Sequence, residues 1–283
     1  MARQMAQKGL LAGVVFGIFI SPAAGLTIRD DRSDSQYTQK ATTVLPQGGS
    51  VTGPGWIGSG SLISPTWVLT AGHVASGTAT TFSSPLGTRS IINQYMYSGG
   101  DIGLAQLSSP ITGDDPVPLY SVNLFGIEDG QSALIAGAGN TGTGITGQQG
   151  GTAGAFRAAQ TDVYANASAW GWSGDDLLTW FHSPSNGAAD LEGGSAQGDS
   201  GGGLFLNVGG TWSIAGVLSQ AWYTGGAESI GKYDSGGVFI RTGTLPVLNW
   251  ILSYAADAQV VPEPASVAVL GLAGLIIIRR RVA

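Results

Sequence analysis

The nine residues QGDSGGGLF, positions 197–205, decide how the whole chain is read. They set Asp199 and Ser200 among four glycines, directly ahead of an apolar pair. Gly198 and Gly201 let the backbone turn sharply and leave the amides of Gly198 and Ser200 free to point at one spot. A serine in such a turn acts as a nucleophile only with a base in hydrogen-bond reach, a carboxylate behind that base, and donors for the oxyanion that develops. Without those partners the stretch is a Gly-rich turn.

The chain has only two histidines. His73 lies in VLTAGHV, where an apolar strand ends, so its imidazole emerges at the rim of a sheet. Asp101 lies in GGDIGLAQL and heads another apolar strand, where a carboxylate is fixed with little backbone freedom. A lone histidine is more often structural or exposed than catalytic, and a lone Asp101 reads as a strand-edge carboxylate or turn cap. Their joint occurrence with Ser200, in the order His, Asp, Ser and each in a strand context, points instead to a catalytic set. His182, in LLTWFHSPSNG, reads as a surface or structural residue. Asp114, Asp115, Asp175 and Asp176 read as loop carboxylates, and nothing places them across a cleft as glycoside chemistry requires.

The bulk numbers agree with a folded, turn-rich chain. Its 283 residues are 43% hydrophobic and only 11% charged, with 47 glycines, the opposite of a disordered composition. A net charge of −6 excludes attraction to nucleic acid through the overall field. With no cysteine, the fold holds without disulfides or thiolate metal sites.

Short strands broken by turns fill the middle of the chain. The run SGSLISPTWVLTAGHV gives strands at Ser61–Ile63 and Trp67–Thr70 around a Ser64-Pro65 turn. LFLNVGGTWSIAGVLS reads as a hairpin closed by Gly209-Gly210. Helical spacing is convincing only over Leu245–Ala258, where Val247, Trp250, Ile251 and Tyr254 recur at three- and four-residue steps. Residues 137–155 are Gly-rich and predict a flexible surface loop, not a phosphate-binding fingerprint. The fold class is all-β with a terminal helix.

Both ends read as addresses. Residues 1–25 place Arg3 and Lys8 ahead of an apolar run from Leu10 to Ile20, then small Ala23, Ala24 and Gly25, the order of a signal peptide. Near the other end, apolar Ala265–Ile278 is followed at once by Arg279, Arg280 and Arg281. Its fourteen residues reach about 21 Å as helix against a hydrocarbon layer of about 30 Å, a short transmembrane span. With Pro262, Glu263 and Pro264 before it, the segment 259–283 resembles the PEP-CTERM sorting signal of Gram-negative bacteria. That resemblance implies an exosortase as processing partner, transient membrane anchoring, and delivery to the periplasm, cell surface or extracellular matrix.

The folded middle resembles the trypsin-like (chymotrypsin-fold, S1 family) serine proteases. The likeness rests on SGSLISPTWVLTAGHV, DIGLAQL, PVPL at 116–119, GAGNTGTG, RAAQTDV at 157–163, GDSGGGLF, IAGVLS at 214–219 and GGVFIRTGTLPVLNWI at 236–251, all in family order. It implies two six-stranded antiparallel β-barrels with a C-terminal helix, the first over 26–122 and the second with the helix over 123–258. It implies Ser200 as nucleophile, His73 as base, Asp101 as orienting carboxylate, and the amides of Gly198 and Ser200 as oxyanion hole. The activity expected is hydrolysis of peptide bonds in protein or peptide substrates through an acyl-enzyme, with no metal or organic cofactor. An esterase using the same triad, or a surface-displayed non-catalytic matrix protein, are the rival readings.

The chain departs from the family pattern at three places. Val74 and Ala196 stand where cysteines flank the family's motifs. Asp199 lacks the usual Ile/Val-x-Gly-Gly start as a partner: either the terminus LTIRDDRSD made by signal cleavage serves, or another group does. Gly194 occupies the base of the primary pocket, where a carboxylate would select Lys or Arg. With Ser219, Gln220, Ala221 and Gly237 as its walls and Glu192 nearby, the pocket is expected to take a small or apolar residue.

Overall fold

Short β-branched and apolar runs cannot bury themselves alone, and in this chain they close on one another twice. The computed structural model describes residues 25–122, 128–165 and 167–261. A first closed barrel has the order β2-β3-β4-β7-β6-β5. Its strands are β2 (Gly48–Gly53), β3 (Trp56–Ser64), β4 (Trp67–Thr70), β5 (Thr81–Ser84), β6 (Gly87–Met96) and β7 (Gly103–Leu107). A second closed barrel, β11-β12-β16-β15-β14-β8, is built from β8 (Ser132–Gly137), β11 (Arg157–Tyr164), β12 (Asp176–Thr179), β14 (Gly203–Val208), β15 (Thr211–Trp222) and β16 (Gly236–Arg241). Every pairing within the two barrels is antiparallel. The hairpin foreseen at Gly209-Gly210 joins β14 to β15, both glycines at the positive φ that its tight turn requires.

One apolar cluster runs through the first barrel and across the junction, where Leu134, Phe205, Ile214 and Val217 of the second barrel join Leu62, Leu69 and Leu104 of the first. The chain ends cross over as well. Helix α2 (Leu245–Tyr254) lays Val247, Leu248 and Ile251 into that cluster, and its Tyr254 ring lies 4.3 Å from Tyr95 of β6. Beyond α2, Leu119 of the inter-barrel connection forms parallel bridges with both Ile214 and Val260. Leu119 N–H donates to Gln259 O at 2.7 Å, and Val261 N–H to Leu119 O at 3.0 Å.

At the other end, β1 (Thr27–Ile28) pairs with β13 (Gly193–Gly194) and with β9 (Thr141–Thr143), which in turn pairs with β10 (Gly147–Gln149). Within residues 137–155, Thr141–Thr143 and Gly147–Gln149 are therefore strands of this small sheet, where glycine content predicts a loose loop. Neighbouring strands supply the order that the sequence lacks locally. Helix α1 (Asp34–Val44) is a second departure, because its composition is polar and only Tyr37 and Ala41 are buried. Its start is fixed by Gln36, whose Oε1 accepts from Ser33 N–H at 3.0 Å. Tyr37 OH donates to Glu192 O at 3.0 Å, and Asp34 pairs with Arg157. The signal-peptide reading, 1–25, and the sorting-signal reading, 259–283, lie outside the described residues except at Gly25 and at Gln259–Val261, which the protein core binds through Ala155 and Leu119. Among those described, no helix is long and apolar enough to cross a membrane.

Ile251 is wholly buried where α2 meets the first barrel. Ile251→Ala is expected to lower the unfolding free energy by about 2–5 kcal/mol. Urea denaturation should show this as a lower midpoint at unchanged slope.

Candidate active site

Strand pairing carries His73 and Asp101 to one rim. Thr70, the last residue of β4, is opposite Gly103, the first of β7, so His73 and Asp101 extend just past the paired ends. Asp101 then holds the histidine twice. His73 N–H donates to Oδ1 at 2.8 Å, and Nδ1 lies 2.8 Å from Oδ2. An ionised carboxylate only accepts, so this contact places the ring proton on Nδ1 and leaves Nε2 as a base. Ser219, from β15 of the other barrel, donates its hydroxyl to Asp101 Oδ2 at 2.7 Å. The hydrogen bond to Asp101 holds the His73 pKa above its ordinary value, against partial burial. Burial pushes Asp101 upward, but the bonds from His73 and Ser219 outweigh it and the net shift is downward.

Ser200 sits in a turn clamped between the barrels. Gly201 N–H donates to Leu218 O at 2.8 Å, and Leu218 N–H returns a bond to Gly202 O at 2.8 Å. From β3 of the first barrel, Ser59 N–H donates to Ser200 O at 2.7 Å and Ser59 Oγ to Gly198 O at 3.1 Å. Gly201 has φ +85°, and any Cβ there would collide with Thr70 Oγ1 and Ser59 O. That close approach presses the serine turn onto the strand leading to His73. A Cβ at Gly58 would meet Val74 at 2.9 Å and Ser200 O at 3.2 Å, so Val74, next to His73, and the Ser200 carbonyl flank one glycine. Among the described residues no hydrogen bond joins Ser200 Oγ to the His73 ring. Such bonds are commonly long without substrate. Neither Gly198 N–H nor Ser200 N–H donates to a described acceptor, while the carbonyl that precedes Gly198, that of Gln197, is engaged by Asn140 N–H at 2.7 Å, and the Asp199 carbonyl between the two amides accepts from Gly202 N–H at 2.8 Å.

Asp199 points the other way, into the protein, and is fully buried. Its Oδ1 accepts from Gly139 N–H at 2.7 Å and Leu26 N–H at 3.2 Å, and its Oδ2 from Ala196 N–H at 2.7 Å. Burial pushes this carboxyl up to about 7, against the pull of these donors and the Arg157 charge. The partners of Asp199 are thus three backbone amides, one of them at the residue that follows the expected leader.

The residues expected to form the primary pocket are tightly packed. Gly194 lies in β13, where a Cβ would stand 2.7 Å from the Phe181 ring and 2.8 Å from Thr27 Oγ1. Gly237 pairs with Ala221, and a Cβ on it would stand 2.6 Å from Ser195 Oγ and 2.9 Å from Leu218. Gln220 faces Val238 across the same ladder, and among the described residues Gln220–Trp222 pair with β16 alone, since the pairing of β14 with β15 ends at Gly203 opposite Val217. Ser219 spends its hydroxyl on Asp101 rather than on a pocket wall. Glu192 is buried and held by His182: N–H donates to its Oε1 at 2.6 Å, and Nδ1 lies 2.9 Å from the same oxygen.

Sequence reasoning missed Ser195, whose buried hydroxyl has no hydrogen-bond partner among the described residues, and Ser59, the brace beneath the serine turn. Ser195 adjoins Gly194, a signal that was available. Ser59 carries none, since its role exists only once the barrels meet.

The trypsin family model matches residues 34–251, more than half of the chain. With two closed six-stranded antiparallel barrels and this match together, the chain belongs to the trypsin family of serine proteases.

Proposed function

We propose that the protein is an exported serine endopeptidase in which Ser200, His73 and Asp101 form the catalytic triad. The observation that carries this reading is the doubly held His73 imidazole on the rim where the Ser200 turn is clamped. His73 Nε2 takes the proton of Ser200 Oγ as that oxygen attacks the scissile carbonyl, and then delivers it to the leaving amine. The resulting acyl-enzyme is hydrolysed by water activated in the same way. The free N–H groups of Gly198 and Ser200 receive the oxyanion. Ser219 acts as a positioning residue that fixes Asp101.

A fluorophosphonate probe should label the folded protein at Ser200 and fail on Ser200→Ala and on heat-denatured protein. Ser200→Ala or His73→Ala should lower kcat by about 10⁴–10⁶-fold with the fold intact. Because catalysis needs neutral His73 and its pKa is raised, the rate should fall as pH drops through a value above the ordinary 6.5. Asp101→Asn should shift that acid limb downward. No labelling of correctly folded protein would favour the matrix-protein reading, and turnover of simple esters without peptide amides would favour the esterase.

For specificity we assign a small side chain to the residue before the scissile bond, on the crowding of Gly194, Ser195, Leu218 and Gly237. A peptide-library digest should show cleavage after Ala, Gly, Ser or Thr. Cleavage after Lys or Arg would overturn the assignment.

Export through the leader, and processing of the 259–283 tail by an exosortase-type enzyme at the membrane, complete the reading. It is supported by the tripartite order of residues 1–25 and the Pro262-Glu263-Pro264 motif. Leader removal before Leu26 would turn the N–H that touches Asp199 into an ammonium. It would also abolish the φ of +60° that Leu26 holds, a conformation that leucine avoids. With an amide at Leu26, a carboxyl raised from 3.8 to about 7 gives stability that is present below pH 4 and lost as pH rises to about 7. With an ammonium there, the carboxylate is held ionised and that loss disappears. Thermal melts across pH 4–8, comparing a chain that begins at Leu26 with one extended before it, should separate the two. Superimposable profiles would refute the pairing.

A further inference from the structure

We propose that the second barrel carries a binding site for a compact organic cation, an alkylated ammonium head group, between Tyr164, Trp170, Trp180 and Asp234. The site is independent of the proteolytic reading and uses none of its residues. These side chains line a hollow of about 290 Å³ together with His182. Trp180 forms its centre. Trp170 stands 5.5 Å from Trp180 and Tyr164 stands 6.4 Å from it, each at 67° to its plane. On another side Trp222 packs against Trp180 at 4.5 Å and 65°, so the indole is held in place.

Rings that meet at such steep angles make a corner rather than a flat platform. A sugar ring needs one broad face to stack on. A compact tetrahedral cation instead gains from two or three ring faces at once, each presenting its negative quadrupole. Charge agrees with shape. Among the described residues no Lys or Arg lines the hollow, and Asp234 supplies a carboxylate at its edge. That side chain is exposed and accepts no hydrogen bond from a described residue, while its backbone N–H is fixed to Phe181 O at 2.8 Å. Asp234 also holds a φ of +62°, which directs it away from the regular strand path. His182 turns its Nδ1 to the carboxylate of Glu192 at 2.9 Å. Trp170 is 61% exposed, a costly place for an indole with nothing to cover it.

The test is a titration of the full chain with tetramethylammonium, followed by the upfield shift that ring currents impose on its methyl proton resonance. Neopentyl alcohol, neutral and of similar shape, and methyl glucoside are titrated in parallel. Saturable binding of the cation alone, equal in wild type and Ser200→Ala, is the expected result. Affinity should fall about fivefold or more in Trp170→Ala and in Asp234→Asn, whose exposed side chains leave the fold intact by near-ultraviolet circular dichroism. Choline and a short peptide bearing trimethyl-lysine, titrated separately, tell a free small cation from a modified side chain, and binding of either supports the site. Equal binding of neopentyl alcohol, binding of the glucoside instead, no binding at all, or affinity unchanged in Asp234→Asn would each overturn it.

Discussion

The structure depends on one contact between barrels: Ser59 of β3 gripping the serine turn through its N–H on Ser200 O and its hydroxyl on Gly198 O. The same hydroxyl accepts from Ala138 N–H at 2.9 Å, so one side chain ties β3, the residue that follows β8 and the serine turn together. Buried polar groups of this kind are costly unless paired, and here each is paired. The register of the two barrels is fixed by that requirement. Once it is fixed, Ser219 reaches Asp101 from the far barrel, and the rim holding His73 faces the turn holding Ser200.

The chain has no cysteine with which to staple such turns. Main-chain bonds and small residues take over the task. Gly201 is bonded to Leu218, and Asp199 gathers three amides from three separate segments. The carboxylate is thus a hub that fixes the loop at 137–140, the start of β1 and the approach to the serine turn at once. Gly139 and Gly137 sit where a side chain would strike Asp199 or its neighbours.

Much of this was legible in the sequence because apolar runs mark strands and because His73, Asp101 and Ser200 each stand at the end of one. The β3–β4 turn, the Gly209-Gly210 hairpin and α2 all carried local signals of turn chemistry or spacing. Helix α1 did not, since a polar helix with two buried residues owes its existence to Tyr37 and Asp34 docking on the second barrel. The strands inside 137–155 were equally hidden, because glycine-rich segments take their order from the strands beside them. His182 is instructive in another way. Its ring and N–H grip Glu192 as His73 grips Asp101, so a pinned imidazole is not diagnostic, and only proximity to the serine turn separates the two.

The crossing of the chain ends has a further consequence. Leu26, Ile28 and Tyr37 lie in the core of the second barrel while α2 closes the first, so each barrel is completed by sequence remote from its own strands. Loosening either half therefore breaks contacts that the other half shares, which is expected to couple local opening to global opening. For a serine protease, whose nearest neighbours in solution are copies of itself, this bears on survival. Autolysis cuts chains that open partially, and a molecule whose two halves give way only together presents few such targets.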